Sequence, residues 1–141
     1  MRLWHYELIK YLPDSQLIAQ YREICSICKN HPSHILINYV YQYPKENLYV
    51  YAETVKAELA AREYKLRDND GYDEYFAGVE YDRSIENPFP KHHTEEYLLI
   101  CYYNLHEKFI RGQRDFTNLT HKALKDFVSR RIHDEKAKAN Q

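Results

Sequence analysis

Apolar residues recur at helical spacing along most of this chain. Leu17, Tyr21, Ile24 and Cys28 follow one another at steps of four, three and four residues, which places them on one face of a helix. Similar apolar stripes run through residues 47–66, 94–111 and 117–132. With only 3 glycines, the chain also lacks the turn-rich composition of a β-sandwich. The sequence therefore predicts an all-α fold of three main helices plus a C-terminal helix.

Capping side chains and prolines mark the ends of the predicted helices. Asp14 or Ser15 is expected to cap the first helix, because either side chain can accept hydrogen bonds from the free amides of the first turn. The Asn-His-Pro run at 30–32 is expected to end that helix. Thr94 or His93 is expected to cap the third helix, which should end near the Arg-Gly pair at 111–112.

The remaining segments are expected to connect or cover these helices within a single compact domain of residues 1–141. The N-terminal segment should be extended and packed among the helices. Residues 34–41 contain β-branched side chains but have no partner strand, which predicts an extended or short helical connector. Residues 67–90 are acidic and interrupted by glycine and proline, which predicts an irregular insertion.

Charge is unevenly distributed along the chain. The net charge of −1 argues against a protein whose whole surface binds nucleic acid. However, residues 68–86 hold seven acidic residues and one basic residue, whereas the chain from residue 108 onward holds nine basic and four acidic residues. The basic part includes the predicted C-terminal helix and tail at 117–141. This asymmetry could orient the molecule on a phosphate backbone, although solubility explains it equally well.

Composition also limits the compartment in which we expect the protein. The sequence has no run of about 18 apolar residues and no charged segment leading into an apolar stretch, so neither a membrane span nor a signal peptide is expected. Three cysteines, an odd number, fit a reducing compartment better than a disulfide framework. We therefore expect a monomeric, cytoplasmic protein that needs no cofactor.

A guanidinium and a carboxylate stand side by side in the Tyr21-Arg22-Glu23 triplet of the first helix. Successive residues of a helix differ by about 100° in direction, so Arg22 and Glu23 cannot both lie beneath the apolar stripe. Together with Ser26 and Lys29 they are expected to border a polar face. Spacing alone favours an ordinary solvated surface for this face.

Cys25, Cys28, His31 and His34 are four potential zinc ligands within ten residues. Cysteines three residues apart on a helix can share a metal ion, and the following loop could return the histidines. Zinc sites usually draw ligand pairs from separated segments, however, and both cysteines lie on or beside the apolar stripe. Two thiols in the core are therefore the favoured interpretation, and zinc is the weaker alternative.

The chain from Met1 to Glu23 resembles the pyrimidine-dimer DNA glycosylase family, of the endonuclease V type that also cleaves at abasic sites. The residues that carry the resemblance stand at an ungapped distance from the initiator: Leu12, Asp14, Gln16, Leu17 and the triplet. A looser similarity continues through residues 34–43, the helix beginning near residue 47, and Glu107-Lys108. The resemblance implies a partner, double-stranded damaged DNA.

The resemblance also implies a mechanism and roles for individual residues. In the family, the N-terminal α-amine attacks C1′ of the damaged nucleotide, expels the base, and leaves an imine that undergoes β-elimination. An α-amine suits this role because it is less basic than a lysine amine and is partly neutral at pH 7. The role implied for Glu23 is to stabilise the cationic sugar and move protons, and Arg22 would grip a phosphate.

The sequence departs from the family pattern at its first residues. The pattern has a small second residue, so that methionine is removed and a threonine amine becomes the nucleophile, whereas Arg2 is bulky and predicts that Met1 stays. The amine would then lie roughly 3.4 to 3.8 Å further out if the register is unchanged. Ser26 stands where the pattern has a second arginine, and Leu3 replaces another basic residue, which weakens phosphate binding there.

Two functions are therefore weighed for this chain. The first is a DNA repair N-glycosylase with abasic-site lyase activity, with Met1 and Glu23 as its catalytic residues. The alternative is a non-catalytic helical DNA- or protein-binding module of the same fold. The residues expected to contact DNA are shared by both, with Tyr21 offering a stacking surface and basic side chains offering phosphate contacts: Arg2, Arg22, Lys29, Arg111 and Arg114.

Overall fold

The computed structural model describes residues 1–67 and 71–139, and within these ranges the chain forms helices and no β-strand. Five are α-helices: α1 (Asp14–Asn30), α2 (Lys45–Ala61), α3 (Tyr72–Tyr75), α4 (Glu95–Ile110) and α5 (Asn118–Ala139). Two further segments, Tyr6–Tyr11 and Asn38–Gln42, are 3-10 helices. The predicted all-α fold, with three main helices and a C-terminal helix, is confirmed.

Two sets of helices contact the N-terminal segment. Helix α1 packs against α2 and α3, and α4 packs against α5. The 3-10 helix Tyr6–Tyr11 contacts both α2 and α5, so the first residues lie among the helices as predicted. Residues 6–11 are helical and not extended, however, and the His5 side chain accepts from the Glu7 N–H at the start of this turn. Leu3, Leu8 and Leu12 are completely buried there and contribute to one continuous hydrophobic core. This segment therefore joins the set of α1, α2 and α3 to the pair of α4 and α5.

The apolar stripes read from the sequence form the core faces of the helices. Leu17 and Ile24 of α1 are fully buried, as are Leu98 and Leu105 of α4. Burial of such side chains stabilises the fold by about 1.5–3 kcal/mol for each large aliphatic residue. Gln20 shares the buried face of α1, and its polar side chain needs hydrogen-bond partners there.

The cap of α1 differs from the prediction. Neither Asp14 nor Ser15 caps the helix with its own side chain, and α1 begins directly after Pro13. Instead, the Ser15 N–H donates to Oδ2 of Asp115 at 2.8 Å, so a residue of the α4–α5 loop caps the helix. The Asp14 carboxylate is occupied by the Arg62 guanidinium, with 2.8 Å between Nη1 and Oδ1. Contacts between distant segments have replaced the local cap.

Other helix ends agree more closely with the sequence. Thr94 caps α4 by accepting a hydrogen bond from the Tyr97 N–H at 3.2 Å, as predicted. The second helix, predicted over residues 47–66, begins two residues earlier and ends at Ala61. It stops early because Arg62 folds back to donate to the Leu12 carbonyl at 2.7 Å, and Glu63 takes a left-handed φ of 65°.

The connecting segments also follow the predictions. The connector at 34–41 contains the start of the 3-10 helix Asn38–Gln42. In the insertion at 67–90, α3 is the one regular element among the described residues, and residues 68–70 of the acidic stretch lie outside the described part. No helix in the described ranges is both long and apolar enough to cross a lipid bilayer.

Candidate active site

The Glu23 carboxylate lies against the backbone of the first residues. The Arg2 N–H donates to Oε2 of Glu23 at 3.4 Å. Both residues line a groove of about 290 Å³ between the N-terminal segment, α1 and α4. Other residues that line this groove include Met1, Trp4, Leu36, Asn104 and Lys108. The structure therefore brings together the two residues predicted to be catalytic, Met1 and Glu23.

Gln20 holds the N-terminal segment in register with α1. Its Nε2 donates to the Arg2 carbonyl and to Oε2 of Glu23, each at 3.0 Å. Its Oε1 accepts from the Trp4 N–H at 2.7 Å and lies 2.8 Å from the Tyr51 hydroxyl. Tyr51 also reaches the Trp4 carbonyl at 2.7 Å. Because Gln20 and Tyr51 are fully buried, these bonds are shielded from water and fix the backbone beside Glu23.

Burial raises the pKa of the Glu23 carboxyl group above its ordinary value. The Arg2 N–H, the N-terminal amine, the Gln20 amide and His34 act in the opposite direction, because each stabilises the carboxylate. The amine is thus close enough to interact electrostatically with Glu23. A carboxyl group with a raised pKa exchanges protons more readily near neutral pH, which suits a residue that must stabilise a cation and also carry a proton.

The Arg2 side chain lies over Tyr97 of α4. The guanidinium carbon is 5.7 Å from the centre of the Tyr97 ring, and Nη1 donates to the Tyr97 hydroxyl at 3.5 Å. That hydroxyl donates in turn to the Leu3 carbonyl at 2.6 Å. Arg2 is therefore half-buried at the groove, and the positive charge predicted to contact DNA remains beside the candidate site.

Three of the predicted DNA-contacting residues lie on a different side of α1. Tyr21, Arg22 and Lys29 line a second groove of about 450 Å³, together with Lys65 and Arg67 from the segment after α2. Tyr21 is only 8% exposed, and its ring packs against that of Tyr72 with 6.1 Å between the ring centres. The structure thus separates Tyr21 and Arg22 from Glu23, although the three residues are adjacent in sequence.

The last two predicted DNA contacts belong to the loop between α4 and α5. Arg111 and Arg114 are both exposed. Arg111 lies one turn beyond Lys108, and its Nε is 3.7 Å from Oε1 of Glu107. Lys108 lines the N-terminal groove, whereas neither Arg111 nor Arg114 is among the residues that line it.

The zinc alternative is not supported by the positions of its four residues. Within residues 1–67 and 71–139, no three His, Cys, Asp or Glu side chains are grouped so that they could hold a metal ion. Cys28 is buried, which raises the pKa of its thiol to about 12. The His31 ring packs edge-on to Tyr75 with 5.3 Å between centres, and His34 Nδ1 accepts from the Leu36 N–H at 3.1 Å.

Sequence reasoning missed the buried residues that support the site. Gln20 stands between Leu17 and Ile24 on the core-facing stripe of α1, and a polar residue at such a position needs partners from elsewhere. A polar residue on an apolar stripe was therefore the sequence feature that could have identified Gln20 as a supporting residue. Tyr51 and Tyr97 lie on helices whose spacing explains them as packing residues, so no local pattern singled them out.

Comparison with known proteins identifies the family of the chain. The family model described as pyrimidine dimer DNA glycosylase matches residues 1–71, which is just over half of the 141 residues. The matched part includes the N-terminal segment, α1 and α2, and so contains Met1, Gln20 and Glu23. No curated protein and no solved structure matches the chain significantly. The chain therefore belongs to the pyrimidine dimer DNA glycosylase family.

Proposed function

We propose that the protein is a DNA repair N-glycosylase with abasic-site lyase activity, acting on pyrimidine dimers or related lesions in duplex DNA. Family membership supports the glycosylase class. The observation that carries the mechanism is the half-buried Glu23 carboxylate, held 3.4 Å from an N-terminal backbone nitrogen by the buried Gln20 amide. Met1, which carries the free amine, lines the same groove, so the amine would act beside a carboxylate that can stabilise the cation formed on the sugar.

In the proposed reaction, the N-terminal amine attacks C1′ of the damaged nucleotide. The bond from C1′ to the base breaks, and its electron pair leaves with the base. The attacking nitrogen then loses one proton, and the bond from C1′ to the ring oxygen breaks as that oxygen takes up a proton. This gives a protonated imine on C1′ whose charge the Glu23 carboxylate stabilises. Removal of a proton from C2′ then breaks the bond from C3′ to its phosphate oxygen and cleaves the strand, after which water releases the enzyme. Glu23 accepts and returns protons in these steps.

Basic residues around the two grooves would position the DNA. Lys108 and Arg2 line the N-terminal groove beside Glu23, where a phosphate next to the lesion would lie. Arg22 and Lys29 line the second groove on α1, and arginine can bind two phosphate oxygens at once. Such contacts fix the register of a duplex and do not read its sequence.

One observation favours the alternative of a non-catalytic binding module. In the full chain, the nitrogen that contacts Glu23 belongs to Arg2 and is an amide, which is not nucleophilic. The free amine of Met1 lies one residue further along the backbone. If Met1 is retained and its amine cannot reach the sugar, the same surface would bind DNA without cleaving it.

Reductive trapping distinguishes these two functions. The protein is incubated with abasic-site duplex DNA and borohydride, which converts an imine into a stable amine, and its N-terminus is identified by mass spectrometry. We expect a covalent adduct through the N-terminal residue and strand cleavage without borohydride. Glu23→Gln should abolish cleavage, whereas the matched control Glu74→Gln, at an exposed position on α3, should cleave normally. Failure to trap any adduct with an intact N-terminus contradicts the enzymatic proposal.

A further inference from the structure

Two consecutive apolar residues project at the edge of the N-terminal groove. Ile35 is 86% exposed and Leu36 is 38% exposed, in the segment between α1 and the 3-10 helix Asn38–Gln42. Single exposed apolar residues are ordinary on protein surfaces. Here, however, Leu36 lines the same groove as Met1 and Glu23, and the more exposed Ile35 directly precedes it in the chain.

The segment that carries Ile35 is a pre-formed loop. The His34 N–H donates to Oδ1 of Asn38 at 2.8 Å, and the Leu36 N–H donates to Nδ1 of His34 at 3.1 Å. Ile37 is fully buried and anchors the loop in the core, and its N–H donates to the His34 carbonyl at 2.9 Å. The exposed tip is therefore presented to solvent by a fixed backbone, so its insertion into a binding partner would cost little conformational entropy.

Charges near the loop define the kind of partner that the tip can meet. Arg2 and Lys108 line the same groove as Leu36. An apolar tip next to cationic side chains matches duplex DNA, in which stacked apolar bases lie inside two rows of phosphates.

We propose that Ile35, supported by Leu36, is a wedge that enters the base stack of duplex DNA next to the nucleotide whose sugar lies at Glu23. This inference rests on the proposed function, because it assumes that the groove receives a sugar of duplex DNA. A sugar inside an intact stack is poorly accessible to a side chain or an amine. Isoleucine and leucine side chains inserted between base steps unstack them and kink the duplex, which would open the nucleotide toward Glu23.

The wedge is tested with a duplex that cannot react. The duplex carries a tetrahydrofuran abasic analogue flanked by 2-aminopurine, whose fluorescence rises when it is unstacked. The variants are Ile35→Ser, the conservative Ile35→Leu, and the matched control Leu119→Ser, since Leu119 is 81% exposed on α5 and does not line the groove. We expect a rise in fluorescence with the wild-type protein, Ile35→Leu and Leu119→Ser, and little rise with Ile35→Ser.

Cleavage of natural abasic DNA provides a second measurement. For Ile35→Ser, kcat/KM on duplex substrate should fall about 10- to 100-fold, because the apolar contact that offsets unstacking is lost. On single-stranded substrate, which has no stack to open, kcat/KM should be unchanged. Equal effects on both substrates, or unchanged fluorescence with Ile35→Ser, overturn the wedge.

The two measurements also separate this inference from the proposed chemistry. A rise in fluorescence that depends on Ile35, without cleavage of natural abasic DNA, supports the wedge and contradicts the catalytic proposal. Cleavage by a wild-type protein that gives no rise in fluorescence supports the chemistry and overturns the wedge.

Discussion

Removal of Met1 should convert the backbone nitrogen beside Glu23 into the reacting amine. In the full chain, the Arg2 nitrogen is an amide 3.4 Å from Oε2 of Glu23. The free amine is one residue away, a step of up to about 3.8 Å along an extended backbone, whereas reacting atoms must approach to about 3–3.5 Å. Since misplacement by about 1 Å can cost a factor of about 100 in rate, we expect the shortened chain to be trapped at least about 100-fold faster.

The N-terminal segment cannot compensate by sliding one residue along α1. A slide would replace the Arg2 carbonyl and the Trp4 N–H as partners of Gln20. It would also remove Leu3, which is fully buried, from the core. Because successive side chains of an extended segment point to opposite sides, the shift exposes apolar groups and buries others without matching space.

The assay compares two proteins made from cleavable fusions, one beginning with Met1 and one with Arg2. Each is incubated with abasic duplex DNA and borohydride, and the rate of adduct formation is measured on denaturing gels after the N-terminus has been confirmed by mass spectrometry. Glu23→Gln in the shortened chain is the control for the role of the carboxylate. Equal trapping rates for the two proteins would refute the reasoning, since they would mean that the position of the amine does not limit the reaction.

Three further predictions concern stability. Burial raises the pKa of Glu23, so the folded state disfavours its carboxylate form. Glu23→Gln should therefore raise Tm at pH 8, and the gain should vanish below about pH 4, where the ordinary Glu pKa lies. A constant difference in Tm across this range would contradict the assignment. Tyr51→Phe removes the hydroxyl that contacts Gln20 and should lower the free energy of unfolding by about 1–3 kcal/mol in urea titrations, whereas an unchanged midpoint would show that the bond contributes nothing. Burial lowers the pKa of His93 to about 2, so below about pH 6.5 the unfolded chain binds a proton that the folded protein does not bind. As pH falls, the free energy of unfolding should therefore decrease more steeply in the wild type than in His93→Gln, by about 1.4 kcal/mol per pH unit. Parallel pH profiles of the two proteins would exclude this cause.

Features that depend on local sequence were predicted well. The apolar stripes of α1 and α4 follow from periodicity alone, and Thr94 caps α4 because its side chain reaches an amide only three residues away. The cap of α1 was not predicted, because Asp115 supplies it from a loop 100 residues later in the chain. Spacing gives no information about such a partner.

The candidate site was predicted only in part for the same reason. Glu23 and Met1 could be paired from the family resemblance, and the structure places both at one groove. The division of the triplet between two grooves follows from the rotation of about 100° per residue, but the walls of each groove come from distant elements. Tyr97 and Lys108 from α4 complete the surroundings of the N-terminus. Lys108 was part of the looser family similarity, but no local pattern placed it at the groove, and Tyr97 carried no signal at all.

The position of Trp4 gives the protein a built-in optical signal. Trp4 is the single tryptophan among 15 tyrosines, and it lines the groove that holds Glu23. Its backbone N–H is bonded to Gln20, the same amide that orients the carboxylate. Light at wavelengths absorbed by the Trp4 indole but not by the tyrosine phenols therefore excites Trp4 alone, and Trp4 lies at the groove where the proposed function would place a sugar. Occupancy of the groove can be followed from its emission in real time, with unlabelled protein and unlabelled DNA.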